Sequence, residues 1–389
     1  MIVGASILQL PAIQKAKAMG LYVAVVDYNP NAIGIPYADE YFNASTMDED
    51  AVLCAAELFK PDGIMTLATD MPMRGVAKAS DKLGLHCISY ETAVRATDKY
   101  EMIKMFKSHN VPSPWFYCVR SREELAGLRE KVVYPCIMKP TDNAGSHGVV
   151  KINSYNELIE SYEYSYRFSR HGTIIVEEFL DGAEISVEVM IINGEVNIIQ
   201  ITDKLTTEAP YFVELGHSQP THFDIATQKL INEVAQRACM AIGINNGPAH
   251  VEMKMTNRGP VMIELGARMG GDNITTHLVP LSTGIDMVKA SINVALGEKT
   301  DIEPRKHCGA AIRYFVAPWG IIKSIHGIEE AKRIPGVKQI TFIKKIGEMS
   351  TPISCSNDRV GFVIAQAETA QRAVEICEEA MNIIKIKIE

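Results

Sequence analysis

The sequence has no apolar run of about 18 residues or more, so no transmembrane helix is expected. Its opening residues, MIVGASILQLP, lack the basic n-region of a secretory signal. The eight cysteines, Cys54, Cys87, Cys118, Cys136, Cys239, Cys308, Cys355 and Cys377, are scattered singly. No two form a C-x-x-C pair, so neither a zinc site nor a disulfide framework is indicated, and a reduced, cytoplasmic setting is expected. A basic excess is also missing. The net charge of −8 argues against a general nucleic-acid surface, leaving room only for a local basic site. Internal repeats and low-complexity segments are absent. Gly4 followed by Ser6 is a poor match to G-x-G-x-x-G, which argues against a nucleotide-linked dehydrogenase. The P-loop and H-E-x-x-H signatures are absent too, which removes a Walker-type site and zinc-protease chemistry.

What is present is an ordinary globular composition, 47% hydrophobic and 22% charged, over 389 residues, enough for two or three domains. The first ninety or so residues alternate strand and helix signals. MIVGAS reads as a strand and turn, PAIQKAKAMG as a helix ended by Gly20, and LYVAVVDYNP as a buried strand stopped by Asn29-Pro30. A helix near 48–59, a strand at 62–68 and a helix near 72–83 follow. This βαβ pattern predicts a parallel sheet with helices on both faces. A Pro-punctuated linker at 112–114 marks the first boundary. Beyond it come YPCIMKP, a glycine-bearing turn, a helix near 154–168, the strand TIIVEEFL, and a long hairpin turning at Asn193-Gly194. A helix over 224–242 precedes a second hairpin. From about 305 the chain restarts and ends as strand then helix, in a smaller α+β unit.

The second hairpin carries the first chemical signal. Residues 251–255 alternate, placing Glu252 and Lys254 on one face, and TNRGP (256–260) is turn chemistry. With those five residues as the loop, Met255 lies opposite Val261 and Glu252 faces Glu264. Like charges directly opposite are destabilising. A solvated sheet face satisfies that spacing, and so does a divalent cation between the carboxylates, Mg²⁺ being the best suited. Other signals are equally double-edged. Lys139 precedes Gly145-Ser146-His147-Gly148, an ordinary hairpin turn or a triphosphate cradle. IIVEEFLDGAEISVE carries Glu177, Glu178, Glu184 and Glu188, either a solvated edge or a purine and ribose seat. Thr97-Asp98 caps a helix that begins at Lys99, either a surface lysine or an anion site. Glu214, His217 and His222 lie in YFVELGHSQPTHFD, as structural loop residues or as groups that orient a polar substrate.

The order of these parts resembles the ATP-grasp superfamily over about residues 97–300. The preceding α/β segment and the tail resemble the three-domain layout of biotin carboxylase and the purine-pathway carboxylases. Within the superfamily, FVELGHSQPTHFD and IELGARMGG resemble bacterial L-amino-acid ligases of the bacilysin type. The resemblance implies a multidomain α/β and α+β protein with an ATP-grasp fold. Its Rossmann-like parallel-sheet domain would span 1–96 and its ATP-grasp domain 97–304, divided into a lid at about 112–175 and a large subdomain at about 176–304. A small α+β subdomain would span 305–389.

The resemblance also implies roles. Lys99 and Lys139 would contact the ATP phosphates, with Gly145, Ser146 and His147 in a loop closing over them. Glu177, Glu178, Phe179 and Leu180 would frame the adenine, and Glu184 would hold the ribose. Glu252 and Glu264 would bind Mg²⁺, with Mn²⁺ as an alternative. Arg268 would be the main catalytic cation. Gly270 and Gly271 would admit the substrate, and Glu214 and His217 would read its amino or carboxylate group. One departure stands out: many relatives read Glu-x-Asn-Pro-Arg where this chain has Gly266-Ala267, a loss the L-amino-acid ligases share. The implied activity is an ATP-dependent carboxylate–amine ligase acting through an acyl phosphate on small molecules, with amino acids foremost. The alternative is a carboxylase or formate-using ligase. A nucleotide-binding regulator without turnover is disfavoured by the joint presence of Lys139, Glu252, Glu264 and Arg268. Neither nucleic acid nor membrane is an implied partner, and relatives of this layout are often homodimers.

Overall fold

The computed structural model describes residues 1–143, 147–209 and 211–389. Near the start, strands Ile2–Val3, Ala24–Asp27 and Glu40–Asn43 form a parallel sheet. Its middle strand, AVVD, is buried throughout because helices cover both faces. Val25 packs with Ile13 and Ala16 on one side. Ala24 and Val26 pack with Val52, Ala55 and Val76 on the other. The helices expected near 48–59 and 72–83 are Glu49–Phe59 and Met73–Leu83. The strand expected at 62–68 shrinks to one parallel bridge, Ile2↔Met65, since the neighbouring strand offers only two residues.

Strands Phe116–Val119, Ile174–Glu178, Cys136–Pro140 and Val150–Ile152, in that spatial order, form an antiparallel four-stranded sheet. Helix Tyr155–Arg167 covers it, and Met138, Ile152, Leu158 and Val176 form a core of its own.

The largest sheet has eight antiparallel strands. Across it they run Gly259–Gly266, Gly247–Thr256, Ala183–Ile192, Glu195–Thr206, Glu214–Gln219, Gly309–Phe315, Gly361–Ala367 and Val337–Phe342. Asn193 and Gly194 make the expected two-residue hairpin turn, both at positive φ. Helix Ile225–Ile242, capped by Asp224, lays Ile231, Val234, Ala238 and Ile242 against Val187, Val189, Val251 and Met253. Each large aliphatic side chain buried there contributes about 1.5–3 kcal/mol. The opposite face of the same strands carries the charged positions. The sheet passes without a break across residue 305, because Glu214–Gln219 pairs with Gly309–Phe315. Helix Ala370–Ile383 backs the last strands. No helix among the described residues is long and apolar enough to cross a membrane.

Candidate active site

Three strand irregularities bring the charged groups to one face. The loop of the glutamate hairpin is shorter than the five residues expected. Only Asn257 and Arg258 turn, and Pro260 pairs with Met255. Proline is tolerated there because Gly259–Gly266 is a sheet edge. Counted from this tighter turn, Glu252 would oppose Ile263. A bulge between Glu252 and Met253 takes up one residue and restores Glu252↔Glu264. A second bulge, between Glu188 and Val189, shifts the Asn193-Gly194 hairpin so that Lys204 joins the face of Glu184. A third, at Leu215, lets Glu214 and His217 share that face although they are three positions apart.

The face floors a cavity of about 530 Å³ roofed by the four-stranded sheet. Lys139, on the roof, lies 2.5 Å from Glu177 on the adjacent strand, and both are buried. Lys99 starts helix Lys99–Ser108, where Asp98 accepts the N–H groups of Tyr100 and Glu101. Its ammonium reaches Glu264 at 2.9 Å and donates to the Asn143 carbonyl. Phe179 and Leu180 line the cavity, with the Lys151 ammonium over the Phe179 ring. The Glu178 side chain pairs with Arg258 at 2.7 Å.

On the floor, Lys204 is the hub. It lies 2.8 Å from Glu184, 3.3 Å from Glu252 and 3.5 Å from Glu214, its side chain only 2% exposed. Burial would push its pKa down, but the three carboxylates outweigh this and hold it well above the usual lysine range. Burial would raise Glu252, yet Lys204 and His250 hold it well below the usual carboxylate range. Glu264 is lowered likewise, with Lys99 foremost in overcoming burial. His250, between Glu188 at 2.8 Å and Glu252 at 3.0 Å, is raised to about 9 because Glu188 outweighs desolvation. The facing carboxylates are thus already balanced by Lys204, His250 and Lys99, and a cation is not their sole countercharge. Two ionised oxygen donors on one face still suit Mg²⁺, which commonly takes one or two carboxylates and completes its shell with water and phosphate oxygens.

Arg268 is gripped by Asp70 through two 3.0 Å hydrogen bonds, fixing its guanidinium in the cavity wall. Next to it, Gly271 has open space where a side chain would begin. Gly270 does not line the cavity. A Cβ there would lie 2.7 Å from Glu188 and from His250, so its small size serves packing behind the floor. His217 is buried, 3.4 Å from Asp272, and its Nδ1 has no hydrogen-bond partner among the described residues. Glu214 accepts from Ser356, which comes from the C-terminal segment.

The cavity therefore gathers Lys99, Lys139, His147, Glu177 to Leu180, Glu184, Glu214, His217, Glu252, Glu264, Arg268 and Gly271. Gly145 and Ser146 lie outside the described residues. His222 sits on the surface, paired with Asp203. Sequence reading missed Lys204, His250, Asp70 and Asp272. Lys204 was hidden by its bulge, since strict alternation from the Asn193-Gly194 turn puts it on the core face. His250 could have been found, because it shares the parity of Glu252 in AHVEMKM.

Residues 132–277 match the ATP-grasp domain family, and residues 313–389 match L-amino acid ligase C-terminal domain 2. The chain is 30% identical over 277 residues to alanine–anticapsin ligase of Bacillus subtilis, covering 65% of this chain and 58% of that protein. It is 23% identical over 389 residues to a formate-dependent phosphoribosylglycinamide formyltransferase of Saccharolobus solfataricus, covering 96% and 93%. The crystal structure of an L-amino acid ligase from Bacillus licheniformis shares the fold, with a TM-score of 0.86 at 24% identity, covering 100% and 98%. The chain spans about three fifths of the length of the curated alanine–anticapsin ligases that it matches. The chain thus carries an ATP-grasp domain over residues 132–277 and an L-amino acid ligase C-terminal domain 2 over residues 313–389, in a fold shared with a solved L-amino acid ligase.

Proposed function

We propose that this chain is an ATP-dependent carboxylate–amine ligase that joins amino acids, or a similar carboxylate and amine, with release of ADP and phosphate. The observation that carries the reading is the convergence of Glu252 and Glu264 with Lys99, Lys139 and Arg268 in one cavity. ATP lies beneath the four-stranded sheet, its adenine against Glu177, Glu178, Phe179 and Leu180 and its ribose at Glu184. Its phosphates point to Lys99, Lys139 and residues 145–147. Glu252 and Glu264 would hold Mg²⁺, or Mn²⁺ in its place, and the ion would supply countercharge for the phosphates. Domain boundaries near 97 and 305, a cytoplasmic setting and a homodimer belong to the same reading.

The substrate carboxylate oxygen attacks the γ-phosphorus, the bond to the bridging oxygen breaks, and ADP leaves. The amine nitrogen then attacks the acyl carbon, and orthophosphate departs as the amine loses its proton. Arg268, fixed by Asp70, stabilises the oxyanion of the tetrahedral intermediate without having to reorganise. Glu214 and His217 read the amino or carboxylate group of the substrate, and one of the two receives the proton of the amine. Gly271 allows close approach beside Arg268, with Gly270 supporting the floor behind it. A carboxylase or formate-using ligase is the second reading, favoured by the nearly full-length match to the formyltransferase.

The test is ADP release with Mg²⁺ against pooled amino acids, and separately against bicarbonate or formate with amine acceptors, products being read by mass spectrometry. ADP, phosphate and a condensed peptide with amino acids alone are expected. Turnover that needs bicarbonate or formate would transfer the assignment to the second reading.

A further inference from the structure

The substrate end of the cavity is fastened from the C-terminal segment by one side chain. Arg359 follows the short turn Ser356–Asp358 and is 6% exposed. Its guanidinium donates to both carboxylate oxygens of Asp272, at 2.7 and 2.8 Å. It also donates to the carbonyls of Ser356 at 2.9 Å and Glu214 at 3.4 Å. The group lies 3.9 Å from the centroid of the Tyr314 ring, and the Tyr314 hydroxyl donates to the Asp272 carbonyl. Both carboxylate oxygens and the carbonyl of Asp272 are thus held by residues beyond 305.

Asp272 needs that grip. It and Asn273 both sit at positive φ, 52° and 63°. Residues with side chains keep such backbone only where their surroundings over-determine it. The strained pair directly follows Gly271 and lies four residues after Arg268. Asp272 in turn meets His217 at 3.4 Å. The roof residues Lys139 and Glu177, by contrast, stand on a sheet with its own core.

We propose that Arg359 is a positioning residue: acting through Asp272, it fixes the Gly271–Asn273 backbone and the orientation of His217, and so shapes the substrate end of the cavity rather than its nucleotide end. The proposal rests on the ligase reading. An asymmetry follows. Loss of the clasp disturbs recognition of the carboxylate or amine while ATP is still bound by the roof and the lysines.

The test compares wild type with Arg359→Gln, Arg359→Lys, Asp272→Asn and the Arg359→Gln/Asp272→Asn double variant, all in the full chain. Steady-state ADP release is measured with ATP, carboxylate and amine varied separately. Arg359→Gln and Asp272→Asn should each raise KM for the carboxylate or the amine at least tenfold, with KM for ATP within twofold of wild type. The double variant should be no worse than the poorer single one, because both remove one interaction. Arg359→Lys should recover part of the loss, since an ammonium replaces a two-pronged fork. Equal changes in KM for ATP and substrate, or a fall in kcat alone, would overturn the proposal. Hydrogen exchange needs no substrate: peptides over 266–276 should exchange faster in Arg359→Gln, with those over Cys136–Pro140 unchanged. Unaltered exchange at 266–276 removes the clasp. A wild type that releases ADP with no carboxylate–amine pair overturns the ligase reading instead, and exchange then decides the clasp by itself.

Discussion

Replacing Lys204 with methionine tests the electrostatics of the floor most directly. The side chain keeps its length and loses its charge, leaving Glu184, Glu214 and Glu252 facing one another. At an effective dielectric of about 20, each Lys204–carboxylate contact corresponds to about 5–6 kcal/mol of Coulomb energy. Most of this offsets the desolvation of the buried ammonium and its three partly buried carboxylates. What remains visible on removing one partner of a buried ion pair is about 3–5 kcal/mol. For a folding unit of 150–250 residues that is a fall in melting temperature of about 6–20 °C. The sign with pH is fixed. Lys204 has a raised folded-state pKa, so its stabilisation is fully present below the unfolded lysine value and is lost only at strongly alkaline pH. Glu252 has a lowered one, so its stabilisation is present above the unfolded carboxylate value and fades in acid. In Lys204→Met, Glu184 keeps Lys254 and Glu252 keeps His250, but Glu252 loses the foremost charge that holds its pKa down, and its pKa rises. The deficit should therefore be large at pH 7 and shrink at pH 5, as protons replace the missing charge. Added Mg²⁺ should narrow it too, raising the melting temperature of the variant more than that of wild type. Differential scanning fluorimetry at the two pH values, with and without Mg²⁺, reads all of this. A variant as stable as wild type, or a deficit equal at pH 5 and pH 7, would refute the reasoning.

On the ligase reading, Arg268→Ala should lower kcat about 10²–10³-fold while calorimetry still detects ATP binding, because the arginine would stabilise charge that develops only during the reaction. Unchanged turnover would remove it from the mechanism. Gly270→Ala should cost about 1–3 kcal/mol by pressing on Glu188 and His250, whereas Gly271→Ala should leave melting unchanged and raise KM for substrate. Equal melting of the two variants would contradict the placement of Gly270 behind the floor. Burial pushes Cys136, Cys239 and Cys377 up to about 12, so iodoacetamide at pH 8 should alkylate exposed Cys54 well before them. Mass spectrometry showing Cys136 modified as fast as Cys54 would refute that.

Much of the fold was legible because its signals are local. Asp48, Asp98, Ser154 and Asp224 cap their helices within a residue or two of the expected starts. Asn193-Gly194 fixed a hairpin. The candidate site was legible in its residue types but not in its registers. The facing of Glu252 and Glu264 was expected from a five-residue loop and occurs instead through a two-residue turn plus a bulge, two differences that cancel. Lys204 had no such cancellation. A bulge displaces everything beyond it by one position, and alternation of side chains carries no record of where that displacement occurs. Asp70, Asp272 and Arg359 were hidden for another reason: each pairs with a partner far away in sequence.

The continuity of the large sheet across residue 305 bears on any attempt to dissect the chain. A fragment cut there would keep the glutamate hairpin, Lys204, Lys99 and Lys139. It would also strip Glu214–Gln219 of its partner Gly309–Phe315, turning the strand that bears Glu214 and His217 into a bare edge of unpaired N–H and C=O groups. Such an edge recruits other chains. The fragment should come out of expression as aggregates or swapped dimers, and the last eighty-odd residues are better regarded as part of the large sheet than as an appendage to it.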